Sequence, residues 1–202
     1  MVSTVGRRTL LTGAAGAALA ANLPMPAIAQ NKPVKIGLLT IKTGPLAKGG
    51  IQMEQGSNLF LKDRNATLAG RKVELVVGDT GGNPAGTKTK AQELIERDGV
   101  DMIFGPLAAF ELLAITDYIA AQKVPILSLA AAEDMTQRKP NPYLVRASAT
   151  SSQNMHPLAD YAAKELKYKT VMTISEDFAF GYEQMGGFQR VFEENGGKLV
   201  KK

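Results

Sequence analysis

No cysteine occurs among the 202 residues, and no tryptophan. The first absence excludes disulfides, thiolate metal sites, a cysteine nucleophile and a cysteine-linked lipid anchor. Histidine occurs once, at His156, before Pro157 in what reads as a first helical turn. It has neither the nucleophile nor the orienting carboxylate that a catalytic histidine needs. His-Glu-x-x-His spacing and the G-x-S-x-G elbow are both missing, so the residues predict no catalytic site, no metal and no cofactor. Charge of neither sign dominates. The formal net charge is +5 with the basic residues spread along the chain, whereas nucleic-acid binders gather them in a stripe. A membrane-spanning run is absent too: the mildly apolar stretch from Thr9 to Leu23 falls short of the roughly 20 residues that cross a bilayer.

What is present is a globular composition, 45% hydrophobic and 21% charged, on a length that suits one or two domains. Residues 1–29 read as an export signal. Arg7 and Arg8 form a positive start, an Ala- and Gly-rich apolar stretch follows, and "AIA" at 27–29 offers small residues for cleavage near Ala29. The paired arginines resemble a twin-arginine signal, with Sec export as the alternative. The mature protein is expected in the cell envelope without stable membrane insertion.

Beyond the signal, strand and helix patterns alternate. "VKIGLL" (34–39), "RKVELVV" (71–77), "VDMIF" (100–104), "VPILSL" (124–129) and "PYLVRA" (142–147) are short apolar runs bounded by turn residues. Between them lie helical patterns, one with Ile51, Met53, Gly56, Leu59 and Phe60 on its apolar face, one over 84–97, and one over 109–123. Leu112, Leu113, Ile115, Tyr118 and Ile119 are expected inside. Asn83 is placed as N-cap with Pro84 at the first helical position. After Ala147 the rhythm restarts: "SATSSQN" caps a helix to about Leu166, "KTVMTIS" is a strand, "FGYEQMGGFQRVFEENG" a helix and "GKLVKK" another strand. Such alternation predicts an α/β fold of parallel sheets with helices on both faces.

The stretch "VVGDTGGNPAGTKTKAQEL" (76–94) raises the question of a phosphate loop. Gly81 and Gly86 have the spacing of one, but Thr87 precedes Lys88 where the order must be Lys then Ser or Thr. Pro84 also removes an amide that would cradle phosphate. The glycines are therefore assigned to a tight turn and Asp79 to fixing it, with a ligand contact at this strand end as the alternative. More telling are "GPLAAFELL" (105–113) and "SLAAAED" (128–134). Each leads a strand into an expected helix through small residues. Free amides around Ala108 to Phe110 then face the crevice beyond the sheet, where helix N-termini bind carboxylates.

In this order and spacing, "KIGLLTIKTGPLA", "LAGRKVELVVGDTGGNPAGTKTKAQELIERDGVDMIFGP", "ILSLAAAED", "YLVRASAT" and "SEDFAFGYEQMGGFQRVFEENGGKLV" resemble the periplasmic solute-binding proteins of the branched-chain amino acid (Leu/Ile/Val) transporter class, type I. The resemblance implies a Venus-flytrap fold and a periplasmic monomer. Its two lobes close on a small-molecule ligand and present it to ABC transporter permease subunits. It implies lobe one over residues 30–147 and the start of lobe two over 148–202. Members are about twice as long, so the chain is expected to be a fragment or a truncated reading frame, with exposed sheet edges that make it poorly stable alone.

The resemblance also implies a ligand set, with Thr43 and Leu46 in the turn after the first strand. Where amino-acid binders of the family carry a serine in the turn matching "GPLAAF", this chain has Ala108 and Ala109, flanked by Leu107 and Phe110. Their Ala and Thr match Ala131 and Ala132, with Ala130 one residue away, and their tyrosine before a glycine matches Phe180 before Gly181. Burying an ammonium without partners is unfavourable. Phe180, Phe178 and Phe110 suit an apolar or aromatic body, so a hydrophobic, best an aromatic, carboxylic acid is expected. The alternatives are a branched-chain amino acid, an amide or solute sensor acting through a signalling partner, and an α/β enzyme whose catalytic residues lie elsewhere.

Overall fold

The computed structural model describes residues 32–201; the expected export signal lies outside them. Among the described residues no helix is long and apolar enough to cross a membrane. The chain opens with β1 (Val34–Thr40) and α1 (Ala47–Asp63). It continues through β2 (Thr67–Leu68), β3 (Arg71–Asp79) and α2 (Pro84–Gln92). A wider helical turn at Glu93–Arg97 leads to β4 (Met102–Phe104), α3 (Ala109–Gln122), β5 (Ile126–Ser128) and β6 (Leu144–Arg146). These strands form one six-stranded sheet in the order β2-β3-β1-β4-β5-β6. All pairs are parallel except β2 with β3, a two-residue antiparallel pairing that the sequence reading did not contain.

That order places the functional end. From β1 the chain leaves to one side for β3, whereas from β4 it leaves to the other side for β5. The carboxyl ends of β1 and β4 therefore flank the point where the winding reverses, which is where open α/β sheets leave a crevice. Two glycines let the backbones meet there. A Cβ on Gly50 would lie 2.0 Å from the Ile41 carbonyl oxygen, so α1 can start directly against the end of β1. Gly105, at φ +100°, would put a Cβ 2.2 Å from the Leu39 oxygen.

The core lies between the sheet and helices α2 and α3. Leu39, Leu94, Ile103, Leu112, Ile115, Ile119 and Ile126 are each at most 2% exposed, and Leu113 and Tyr118 pack partly buried against them. The Asn83 side chain caps α2 as expected, accepting from the Gly86 amide at 2.8 Å. Helix α1 differs from its expected pattern. Met53 is buried, but Ile51, Leu59 and Phe60 are exposed. Phe60, Gly56 and Met53 instead border an open apolar groove of about 480 Å³ with Ile36, Leu75, Met102 and Phe104 of the other sheet face.

A second, two-stranded parallel sheet pairs β7 (Thr170–Met172) with β8 (Lys198–Lys201). A short helical turn at Gln153–Met155 and α4 (His156–Lys164) precede it, and α5 (Ala179–Glu194) joins its strands. Its core is small: Ala159, Ala162, Phe188 and Phe192, with the two rings stacked at 5.5 Å. Exposure of Met172, Ile174 and Val200 is 71%, 97% and 54%, so this sheet presents apolar side chains to solvent. One expectation is corrected. No helix follows "SLAAAED": β5 connects to β6 through turns, because Glu133 and its neighbours bond sideways to the next segment. The "SATSSQN" stretch caps the segment before α4 as expected, through Thr150. Thr150 accepts from the Gln153 amide at 3.3 Å while its own amide donates to Gln153 Oε1 at 3.0 Å, a reciprocal pair that satisfies two helix-start donors.

Candidate functional site

Where β1 and β4 end, a crevice of about 250 Å³ is lined by Ile41, Thr43, Leu46, Gly82, Phe110 and Phe178, with Glu176 at its edge. The loop from β1 supplies one wall. Gly81 and Gly82, both at positive φ near +65°, supply another. Asp79 fixes that turn as expected, its Oδ1 accepting from the Gly81 amide at 3.0 Å and the Lys42 amide at 3.1 Å. The aromatic wall joins the two sheets: Phe110 on α3 meets Phe178, just before α5, edge to face with centroids 5.4 Å apart.

Of the residues expected at a ligand site, the structure brings Thr43, Leu46, Phe110 and Phe178 together. Phe180 stands behind them, stacked on Phe178 at 6.2 Å. Leu107 packs on α1 at Gly49. Ala108 and Ala109 are buried at the start of α3. Ala130, Ala131 and Ala132 are buried too, away from the crevice lining. Their backbone serves the joint to the following segment: Ser151 donates from its amide and its hydroxyl to the Ala131 oxygen, each at 3.0 Å. Arg146 donates to the Ala132 oxygen at 2.6 Å.

The expected row of free amides is shorter than the sequence suggests. Ala130 N–H donates to Ser128 Oγ at 3.1 Å, and Ala108 N–H donates to Glu111 Oε2 at 3.1 Å. Helix geometry leaves the Ala109 and Phe110 amides, at the first two positions of α3, without an intrahelical acceptor. The start of α3 thus remains a place where a carboxylate is favoured.

Three acidic residues missed in the sequence bear on the crevice or on the joint to the following segment. Glu111 is fully buried and joins the α3 turn to Thr80 and Thr87. Burial pushes its carboxyl up, against the hydrogen bonds from Thr80, Ala108 and Thr87 that pull it down. Glu133, 8% exposed, also feels burial most, but hydrogen bonds from Ser152 and Thr150 outweigh it and hold the carboxyl below the usual carboxylate range. Glu176 lines the crevice with an exposed side chain. The spacing Ala108-x-x-Glu111, half of a capping box, was the one available signal for Glu111; nothing local marked Glu133 or Glu176. Among the described residues no cluster of three or more acidic or histidine side chains could hold a metal ion.

Residues 33–202 match the family model described as Periplasmic binding protein. Leu/Ile/Val-binding protein homolog 6 of Brucella abortus is 28% identical over 169 residues, 83% of this chain and 43% of that relative. The fold superposes on a solute binding protein of an ABC transporter from Rhodopseudomonas palustris BisB5, in complex with 3,4-dihydroxy benzoic acid. Identity is 34% and the TM-score 0.79, over 84% of this chain and 46% of that one. Another solute binding protein from R. palustris, in complex with 4-hydroxybenzoate, is 31% identical at a TM-score of 0.76, over 84% of this chain and 46% of that one. The chain therefore spans less than half the length of these relatives.

Proposed function

This chain belongs to the periplasmic binding protein family, and on that premise we propose that it is the ligand-receiving part of a solute receptor for an ABC importer. Its ligand is a hydrophobic carboxylic acid, best an aromatic one. Residues 30–147 form the first lobe and 148–202 begin the second; the receptor is a periplasmic monomer that binds rather than transforms its ligand. One observation carries the choice of ligand: the Phe110–Phe178 pair borders the crevice, Phe110 standing in the first turn of α3. A ring packs against those faces at favourable aromatic distances, while the carboxylate meets the Ala109 and Phe110 amides and the positive end of the helix. The two relatives whose complexes hold hydroxylated benzoic acids support the same class.

Glu176 favours a second reading. A carboxylate at the crevice edge attracts an ammonium, as an α-amino acid such as leucine carries, and the Brucella relative's name fits it. A thermal-shift comparison of benzoate, 4-hydroxybenzoate and leucine on the full-length protein separates the two. A ligand at 100 times its Kd adds about 2.7 kcal/mol of stability. Shifts with the two benzoates and none with leucine are expected; a shift with leucine alone overturns the aromatic-acid reading.

A further inference from the structure

Phe178 is not the only residue near the start of α5 that reaches the large-sheet side. Glu183, a little more than one turn further along, turns its carboxylate back to the β5–β6 connection. Both oxygens accept from the Glu133 amide there, at 3.1 and 3.3 Å. The Glu183 side chain is only 11% exposed, and a hydrogen bond to a carboxylate gains strength where water is largely excluded. Arg138 Nη2 stands 3.6 Å from the same carboxylate. The amide it meets is a fixed point. Glu133 accepts through its side chain from the Ser152 amide and hydroxyl, and through its carbonyl from the Thr136 and Gln137 amides at 3.0 and 2.9 Å. Arg146 braces the same connection, donating to the Ala132 oxygen at 2.6 Å and to Thr136. On the other side, Gly187 lets α5 lie directly on the segment before α4: a Cβ there would stand 2.6 Å from Ser152 Cβ. Glu133 is thus held by two parts of the small unit, by Glu183 on its amide and by Ser152 on its carboxylate.

We propose that Glu183 is a positioning residue for the crevice: its bond to the Glu133 amide fixes how closely α5 approaches the large sheet, and with it the separation of Phe178 from Phe110. The helix is continuous from Ala179 to Glu194, so a displacement at Glu183 carries the ring that precedes its first turn. Glu183 does not line the crevice, and its influence on a ligand therefore passes through Phe178. Losing the carboxylate also leaves the Glu133 amide a buried donor without its acceptor, which favours an opened arrangement in which water reaches that amide. The consequence for ligand binding rests on the reading of the crevice given above; the positioning of α5 does not.

The test uses the full-length protein with nitroxide labels on Thr89→Cys in α2 and Glu194→Cys at the end of α5, both exposed positions. Pulsed electron paramagnetic resonance reads the distance between the labels without ligand. Glu183→Ala is expected to broaden that distribution and lengthen its mean. Glu183→Gln, which still offers the Glu133 amide an acceptor, is expected to keep the wild-type distribution. Glu183→Asp keeps the charge but is one methylene short of the amide, and is expected to behave like Glu183→Ala. Benzoate kinetics are followed by stopped flow on the same variants. Glu183→Ala and Glu183→Asp are expected to dissociate roughly tenfold faster, the scale of a hydrogen bond to a charged group, with association changed by no more than about a factor of two. Wild-type distances and dissociation in Glu183→Ala, even at a lowered melting temperature, overturn the proposal. So does a Glu183→Gln that opens as far as Glu183→Ala. If Glu183→Ala does not fold, the contrast between Glu183→Asp and Glu183→Gln carries the same decision. If wild type binds neither benzoate nor leucine, the crevice reading fails, and the label distances still decide the role of Glu183.

Discussion

Phe178 meets Phe110 edge to face, with ring centroids 5.4 Å apart and ring planes at 84°. One ring belongs to the first turn of a helix on the large sheet, the other to the loop that starts the long helix of the small sheet. The contact is thus both a wall of the crevice and a joint between the two sheets. Such a pair contributes about 0.5–1.5 kcal/mol beyond the area it buries. Phe178→Ala is expected to lower benzoate affinity by roughly two- to tenfold, using about 1.4 kcal/mol per tenfold, and to lower the melting temperature modestly. Calorimetric titration checks the first and a melt the second. Unchanged benzoate affinity would remove Phe178 from the site.

Glu176 gives a prediction of opposite sign for the two ligand classes. Glu176→Gln removes a negative charge from the crevice edge and is expected to tighten benzoate binding, by more at low salt than at high salt. The same substitution weakens binding if the ligand is an amino acid whose ammonium faces Glu176. Benzoate and leucine titrations of the one variant read out both.

Glu133 links acidity to stability. Its carboxylate accepts from the Ser152 amide at 3.2 Å and from the Ser152 hydroxyl, tying the turn after β5 to the segment before α4. Because the folded-state value is held below the ordinary one, the stabilisation is present above the unfolded value near 4.3. It disappears as pH falls through the lowered folded value. The melting temperature is expected to drop on acidification through that window, and Glu133→Gln to have a lower melting temperature at neutral pH with a flatter acid limb. Glu111 has the opposite sign: raised in the fold, it stabilises below its unfolded value and loses this as pH rises through the folded one.

Capping at Asn83 is separable from binding. Asn83→Ala removes the acceptor that the Gly86 amide uses at 2.8 Å and is expected to lower stability by about 1 kcal/mol. Benzoate affinity is expected to stay within a factor of two of wild type at saturating fold, checked by urea melts and titration side by side.

Gly50→Ala should act through sterics alone. Its Cβ would stand 2.0 Å from the Ile41 oxygen, a backbone atom that cannot step aside. Overpacking of this kind costs about 1–3 kcal/mol, and the shift of α1 also displaces the β1 loop that holds Thr43 and Leu46. A variant with wild-type melting temperature would show that α1 can move freely at its start.

Much of this molecule was legible along the chain. The apolar runs at 34–39, 71–77 and 100–104 carry strands, the third only over Met102–Phe104, because short β-rich stretches between turn residues have few other buried solutions. Asn83 and Pro84 set the start of α2 by local bonding and a fixed φ. Asp79 fixing its own turn needed only two residues of chain. The missing cysteines excluded disulfides and thiolate chemistry within these 202 residues, because the required sulfur atoms are absent.

The tertiary structure decided what depends on residues far apart in sequence. Strand order brought the 41–46 loop beside the 107–110 turn, which local patterns cannot specify because each strand pairs equally well in several orders. The Ala108 amide reads as free in the sequence, yet it is taken by Glu111. Residues 128–134 resemble a helix start, yet they end in a turn bonded to Ser151 and Ser152. Glu176 reaches the crevice only through the approach of the second sheet. Sequence by itself determined which groups are available and which elements they ride on. Packing alone decided which oxygen meets which hydrogen, because a buried donor or acceptor takes its partner from whatever the fold places within about 3 Å.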